Sequence, residues 1–307
     1  MRILSHLKEI EEGQGPFGIT LGNFDGFHLG HSQFLKFMSQ DCMELGLTPI
    51  IITFKPHPRL VLENTKPFLI TDYHEKRQLF LEQGFRYLLE LEFNKNLSVM
   101  NTTDFLNDYL FCLNNIEKIY LGHDFSFGKN KSTGPDLVIK YCSENKKKYH
   151  FQGEYIFSGE NVSSSRVRNL LAEGNIIEAN ELLGREFFMT GLVVKGYGRG
   201  KKIGIPTANL NFSPQKLIPK KGVYISIAEV GEREIYSITN IGVNPTFSNE
   251  QKTVETHLFD FDSDLYGKEV KIRLLKRLRD EQDFKGVDEL VLQIKKDIQE
   301  AKEYFKR

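Results

Sequence analysis

The pattern of apolar residues changes character at one point along the chain, and that change constrains the fold more than any other feature. Up to about residue 158, short apolar runs alternate with helical patterns. Pro16 to Leu21 predicts a buried strand, followed by a helix with Phe34, Met38, Cys42 and Leu45 on one face, ending at Gly46. Pro49 to Phe54 predicts a second strand, and Asp72 with Glu75 forms a capping-box pattern for a helix that stops at Gly84. Tyr87 to Phe93 and Lys118 to Leu121 are further strands around a helix at Thr103 to Leu113. Such alternation implies a parallel sheet with helices on both faces, whose ligands bind beyond the carboxyl ends of the strands. Two short helices, Ser164 to Gly174 and Ile176 to Gly184, close this half.

From about Glu186 the period becomes that of strands separated by Gly, Pro and Asn turns, and only Phe284 to Phe305 is helical. Strands followed by one helix imply a small antiparallel barrel with that helix as a cap. The 307 residues are long for one core, so two domains are expected, 1–184 and 185–307. The run Lys146–Lys148 is expected to be a solvated loop. Lys plus Arg and Asp plus Glu stand at 41 each, so no global field recruits nucleic acid or a membrane. Cys42, Cys112 and Cys142 are scattered, which argues against a disulfide framework or a zinc site and suits a reducing compartment. The opening segment MRILSHLKEIEEGQG lacks a signal-peptide core, and no apolar run is long enough to span a bilayer. A cytoplasmic location is expected; self-association is left open.

The first constellation follows the first strand. In GNFDGFHLGH, Gly22 to His31, glycines let the backbone approach a ligand and the helix start favours bound phosphate. His28 and His31 lie three apart, so both can face one phosphate as donors. Gly22, Asn23, Asp25 and Gly30 complete the candidate phosphate loop. His-Leu-Gly-His resembles the HxGH signature of the nucleotidylyltransferase superfamily, which implies a Rossmann-like α/β fold. Val162 to Arg168, VSSSRVR, resembles the ISSTxIR motif of adenylyltransferases, with Ser165 lacking a methyl but keeping the hydroxyl. Hydroxyls at a helix start plus two arginines make a second anion clamp, from Ser164, Ser165, Arg166 and Arg168. FKPHP, with Phe54 and His57, and LGHDFSFG, with Asp124 and Phe125, resemble segments of the adenylyltransferase half of bacterial FAD synthetases. That resemblance implies a flavin-side acid at Asp124 and gives His123 no role.

The second constellation is Gly191 to Leu210, GLVVKGYGRGKKIGIPTANL. It is neither a Walker A loop nor a GxGxxG fingerprint. Gly196, Gly198, Gly200 and Lys201 still form a flexible cover fit for phosphates. Pro206-Thr207-Ala208-Asn209 is similar to the PTAN motif of riboflavin kinases, which implies that Thr207 and Asn209 hold Mg²⁺ and ATP phosphates. A hydroxyl and an amide oxygen are hard ligands suited to that ion. NIGVNPTF from Asn240 and VETHLFDFDSDLYG from Val254 match the same family, which places its catalytic base at Glu255. LKRLRDE resembles the family's segment near flavin and phosphates, which implies flavin binding by Arg279. Tyr197 departs from the family, where Asp or Gln is expected.

The motifs cover nearly the whole chain in the order of the bifunctional riboflavin kinase/FMN adenylyltransferases, the prokaryotic FAD synthetase family. The resemblance implies riboflavin, FMN and ATP as ligands, Mg²⁺ as cofactor, and FMN and FAD as products. Two other readings are distinguishable. Another HxGH enzyme fused to a barrel would leave PTAN unexplained and lacks a KMSKS-like loop here. A catalytically silent flavin-binding regulator is disfavoured by intact His28, His31, Thr207, Asn209 and Glu255.

Overall fold

The computed structural model describes residues 1–11, 14–63, 68–123, 125, 134–196, 198, 200, 203–246 and 249–306, with backbone alone over 244–246 and 249–251. By contacts the chain forms two compact units. One comprises Met1–Lys66 and Tyr73–Ser163, the other Pro67–Asp72 and Ser164–Arg307.

The first unit is built on a six-stranded, all-parallel sheet. Its strands are β1 (Arg2–Leu4), β2 (Phe17–Leu21), β3 (Thr48–Phe54), β4 (Tyr87–Leu91), β5 (Ile116–Gly122) and β6 (Lys148–Gln152), in the order β1-β4-β3-β2-β5-β6. All five residues of β2 are buried, as a strand covered on both faces requires. Helix α1 (Leu29–Glu44) packs close over it: a Cβ on Gly18 would lie 2.5 Å from Cys42 Sγ. From β2 the chain builds outward on one side through β3 and β4, then crosses to β5 and β6 on the other. The order therefore reverses between β2 and β5, and the crevice beyond their carboxyl ends is the expected ligand position.

Three local expectations change. Strands β1 and β6, at the two sheet edges, are not among the strands expected from the sequence. Lys146–Lys148 is not wholly a loop: Lys146 has φ 55 in a turn, but Lys148 opens β6. Lys148 to Gln152 alternates polar and aromatic residues, but Tyr149 and Phe151 lie on the exposed face, each 44% exposed. The helix expected at Thr103 to Leu113 is an α-turn at Thr102–Phe105 that widens into a π-turn at Leu106–Leu110. Between the strands run α2 (Pro58–Leu62) and α3 (Tyr73–Glu82), whose Leu79 and Phe80 are buried.

The second unit is a closed six-stranded antiparallel barrel in the order β10-β13-β12-β11-β14-β9. We number its strands after the short hairpin β7 (Ile156–Phe157) and β8 (Glu160–Asn161). They are β9 (Phe187–Val194), β10 (Ala208–Asn211), β11 (Gly222–Val230), β12 (Arg233–Thr246), β13 (Asn249–Leu258) and β14 (Glu269–Arg279). The terminal helix (Val287–Tyr304) lays Ile294, Ile298 and Ala301 on Ile225, Ile238 and Phe259 of the barrel, as its spacing predicts. The helices Ser164–Glu173 and Ile176–Leu183 form where expected, and the second ends at Gly184 in the left-handed conformation (φ 67). Both fall within the barrel unit by contacts. Asn180 fixes the second to the barrel, its Nδ2 donating to Leu274 O at 2.9 Å and its Oδ1 accepting from Phe187 N at 2.7 Å. Lys216 is buried, donating to Ile70 O at 2.8 Å and Phe188 O at 3.0 Å, and so ties 68–72 into this unit.

Candidate active sites

The loop after β2 sits at the reversal of strand order and takes a shape that few sequences tolerate. Phe24 and Phe27 have φ of 48 and 46, with Gly26 between them at 84. The left-handed region is disfavoured for bulky residues and persists only where the surroundings over-determine it. Here both rings are buried edge-on against Phe80 of α3, at 5.7 and 5.3 Å, and serve as anchors. With its phenylalanines turned inward, the loop leaves its backbone for a ligand. Gly22 N donates to Ile52 O at 3.0 Å, which pins the loop to β3.

His28 caps α1, its Nδ1 accepting from His31 N at 3.4 Å. The two imidazoles stack 3.7 Å apart at 16°, so the pair expected from the HLGH spacing is brought together. A Cβ on Gly30 would stand 3.3 Å from the His28 ring and 3.2 Å from Tyr155 Cβ, which is why that position is bare. Donor rings at a helix N-terminus are suited to bind a polyphosphate.

Beyond β3, Phe54 is buried edge-on to Phe93 at 5.3 Å, and His57 caps α2 by accepting from Arg59 N at 3.2 Å. His57 N donates to the Tyr73 hydroxyl at 2.8 Å. The sequence gives no signal for Lys76, a buried lysine on α3. Its Nζ donates to Thr53 Oγ1 at 2.9 Å and to Asn23 O at 3.2 Å. Burial pushes its pKa down to about 8, against the opposing pull of Asp25 and Glu90. Such a lysine on a helix flank is indistinguishable in sequence from a solvated one. Phe125 is buried and its N–H donates to Gly122 O at 3.1 Å, at the end of β5. Asp124 and Lys201, like Tyr197, lie outside the described residues.

In the second unit, Ser164 opens its helix with Ser165 exposed beside it. Arg166 pairs through Nη2 with Glu178 Oε1 at 2.9 Å, and Arg168 donates from Nε to Phe68 O at 3.0 Å. Each guanidinium is thus held by this unit's own groups.

The barrel site rests on strand register. Asn209 of β10 lies opposite Glu255 of β13, which lies opposite Asn240 of β12. Directly opposed residues share a face, so the three form one row. Thr207 Oγ1, just before β10, donates to Glu255 Oε2 at 3.3 Å. A Cβ on Gly196 would fall 2.3 Å from Asn209 Nδ2, and one on Gly200 would fall 2.3 Å from Ile205 O and 3.3 Å from Thr207 Oγ1. The glycines of the arch are where backbone meets the PTAN side chains. Gly198 takes φ 65. His257 Nδ1 lies 2.7 Å from Pro206 O. Asn240 is an addition that only the register reveals. The opposite face holds a buried hydroxyl row, with Thr256 to Thr239 at 2.9 Å, Thr239 to Ser226 at 2.7 Å and Ser226 to Ser237 at 2.8 Å.

Arg279 is turned to the terminal helix. It forks onto buried Asp297, with Nη2 to Oδ2 at 2.7 Å and Nε to Oδ1 at 3.0 Å, and Gln293 donates to the same carboxylate at 2.9 Å. Among the described residues no helix is long and apolar enough to cross a membrane, and no cluster of three His, Cys, Asp or Glu has metal-binding form.

Residues 10–166 match the family described as FAD synthetase, and residues 183–305 match riboflavin kinase. A protein of Bacillus subtilis (strain 168), described as bifunctional riboflavin kinase/FMN adenylyltransferase, is 36% identical, over 96% of this chain and 95% of its own. One of the same description from Escherichia coli (strain K12) is 33% identical, over 94% and 92%. A solved structure from Streptococcus pneumoniae, described as a macrolide-efflux protein, superposes with a TM-score of 0.87 at 30% identity, covering 98% of each chain.

Proposed function

The chain belongs to the bifunctional riboflavin kinase/FMN adenylyltransferase family, and from that premise we propose how its residues divide the synthesis of FAD. It phosphorylates riboflavin with ATP to give FMN, then adenylylates FMN with a second ATP to give FAD and pyrophosphate. We assign the first step to 185–307 and the second to 1–184, in keeping with the two matched segments.

In the kinase step the riboflavin 5′-hydroxyl oxygen attacks the γ-phosphorus of ATP, the hydroxyl proton passes to Glu255, and ADP leaves with the bridging oxygen. The hydrogen bond from Thr207 to Glu255 is the observation that carries this assignment. A hydroxyl has one hydrogen and two lone pairs; with the hydrogen on Glu255, the lone pairs are left for a cation. Thr207 and the Asn209 side-chain oxygen are hard donors, few in number, as suits Mg²⁺, which takes its remaining ligands from water and phosphate. They fit that ion and would hold it. When bound, Mg²⁺ supplies charge neutralisation on the ATP phosphates. The chain's own part is to orient the hydroxyl, accept its proton and bring the backbone of Gly196 and Gly200 over the nucleotide.

In the adenylylation step an FMN phosphate oxygen attacks the α-phosphorus of ATP, and pyrophosphate leaves with the electron pair of the broken bond. The nucleophile is already an anion, so no general base is needed. We assign His28 and His31 to the developing charge, with Gly22, Asn23, Asp25 and Gly30 as the loop around it. Ser164, Ser165, Arg166 and Arg168 are assigned to phosphate by motif. Phe54, His57, Asp124 and Phe125 are assigned to the flavin. Arg279 is assigned instead to the riboflavin of the kinase step, acting through the barrel end that it locks to Asp297. Incubation with riboflavin, ATP and Mg²⁺, followed by chromatographic resolution of the flavins, tests the whole reading. FMN and FAD appearing in turn is expected; unchanged riboflavin would overturn it.

A further inference from the structure

The aromatic groove beneath the barrel's terminal helix and the lysine buried under the phosphate loop are both unused by the chemistry above, and the lysine carries more. Lys76 is only 4% exposed. A buried ammonium is costly unless its hydrogen bonds are made and its charge is answered. Both conditions are met, and both point at the loop. Its Nζ donates to the Asn23 carbonyl at 3.2 Å and to Thr53 Oγ1 at 2.9 Å, while Thr53 Oγ1 donates to the same carbonyl at 3.4 Å. Lysine, threonine and carbonyl thus form a closed triangle at the first residue of the turn into the left-handed stretch at Phe24, Gly26 and Phe27.

The charges facing Lys76 come from every side. Asp25 lies on the loop and Glu90 on β4, with Lys55 just after β3 and Arg77 on its own helix. The Tyr73 ring stands 5.5 Å from its Nζ. Glu90 is already held, receiving Arg77 Nε at 2.7 Å and lying 3.7 Å from Lys55 Nζ. Lys76 gives its hydrogen bonds instead to Thr53 on β3 and to the loop carbonyl of Asn23.

We propose that Lys76 is a positioning residue for FMN adenylylation: by charge-assisted bonds to the Asn23 carbonyl and Thr53 it sets the shape in which the loop receives ATP phosphate. The proposal rests on the reading that this loop is the ATP-phosphate site. A charge-assisted donor is stronger than a neutral one, so the loop is held best while Lys76 is protonated. Loss of the proton, with a pKa near 8, loosens the loop as pH rises. The sign for stability is opposite. The folded-state pKa lies below the ordinary 10.5, so from about 8 to 10.5 the unfolded chain binds more protons and this group's contribution to stability rises with pH. Activity and stability part company in that window, which a merely structural lysine does not produce.

The test uses the full chain, with FAD formation from FMN and riboflavin phosphorylation measured in one preparation on both sides of pH 8. Lys76→Met is expected to lower kcat/KM for ATP in adenylylation about 10²-fold, as a small misplacement of a phosphate site does, with phosphorylation unchanged. Lys76→Gln, which still donates to Asn23, is expected to retain an intermediate rate without the alkaline fall seen in the unmodified chain. Wild-type kcat/KM in a folded Lys76→Met variant would overturn the proposal. Should that variant not fold, a pH-independent adenylylation rate in the unmodified chain overturns it instead. An unmodified chain that makes FMN but no FAD would sink the underlying assignment and not this one alone.

Discussion

The two candidate sites are assigned the same ligand, a nucleoside triphosphate, but are built by different structural means. In the parallel-sheet unit the histidine pair is placed by one continuous segment, strand β2 to helix α1, with His28 and His31 three residues apart and stacked at 3.7 Å. In the barrel they are gathered by register, since Asn209, Glu255 and Asn240 come from three strands and lie side by side only because the strands pair as they do. The first unit offers a helix N-terminus to the phosphates. The barrel row has no helix start within it and relies on side-chain oxygens, which is the donor type that calls for a cation. One unit builds its site from backbone direction, the other from alternation across a sheet.

The largest expected effect separates the two outright. Glu255→Gln keeps size and one acceptor but removes the proton acceptor, so riboflavin phosphorylation should fall about 10²–10⁴-fold. FAD formation from supplied FMN should hold. Loss of both activities would break the division of labour.

The converse substitution acts on the other unit. His31→Ala removes a donor aimed at developing charge and should lower adenylylation about 10²–10³-fold, leaving riboflavin plus ATP to stop at FMN. His28 also caps α1, so His28→Asn, which keeps an N-cap acceptor, isolates chemistry from folding better than Ala. Full FAD synthesis by a stable variant altered at both positions would sink the histidine assignment.

A smaller effect tests the barrel's frame. Asp297→Asn weakens the fork from Arg279, and because that carboxylate is buried the loss should be about 2 kcal/mol of stability. A thermal melt of the full chain checks this. The smallest effect on activity concerns the hydroxyl row behind Glu255. Ser226→Ala breaks its links to Ser237 and Thr239 and should cost about 1 kcal/mol per bond lost, with activity near normal. A large loss of phosphorylation without loss of stability would show that the row positions Glu255 from behind.

The contrast also explains what could be read in advance. HLGH, PTAN and the strand-to-helix turns are compact motifs whose members are neighbours in sequence, so type and spacing point to a phosphate loop and the two fold classes, and the resemblance of PTAN to riboflavin kinases implies a cation-holding pair. The chain by itself determined the alternating and strand-only halves, His28 with His31, and Thr207 with Asn209. Tertiary structure alone decided the rest. The edge strand β6 alternates polar and aromatic residues, but only the fold shows that its aromatics face outward. Lys76 resembles any helix-flank lysine until the fold buries it against Thr53 and Asn23. The fork from Arg279 to Asp297 exists only once the terminal helix packs on the barrel. Asn240 joins Glu255 only through pairing of β12 with β13. Local spacing is encoded by the backbone period, whereas burial and partnership between distant residues depend on how the elements pack, and no single segment carries that information.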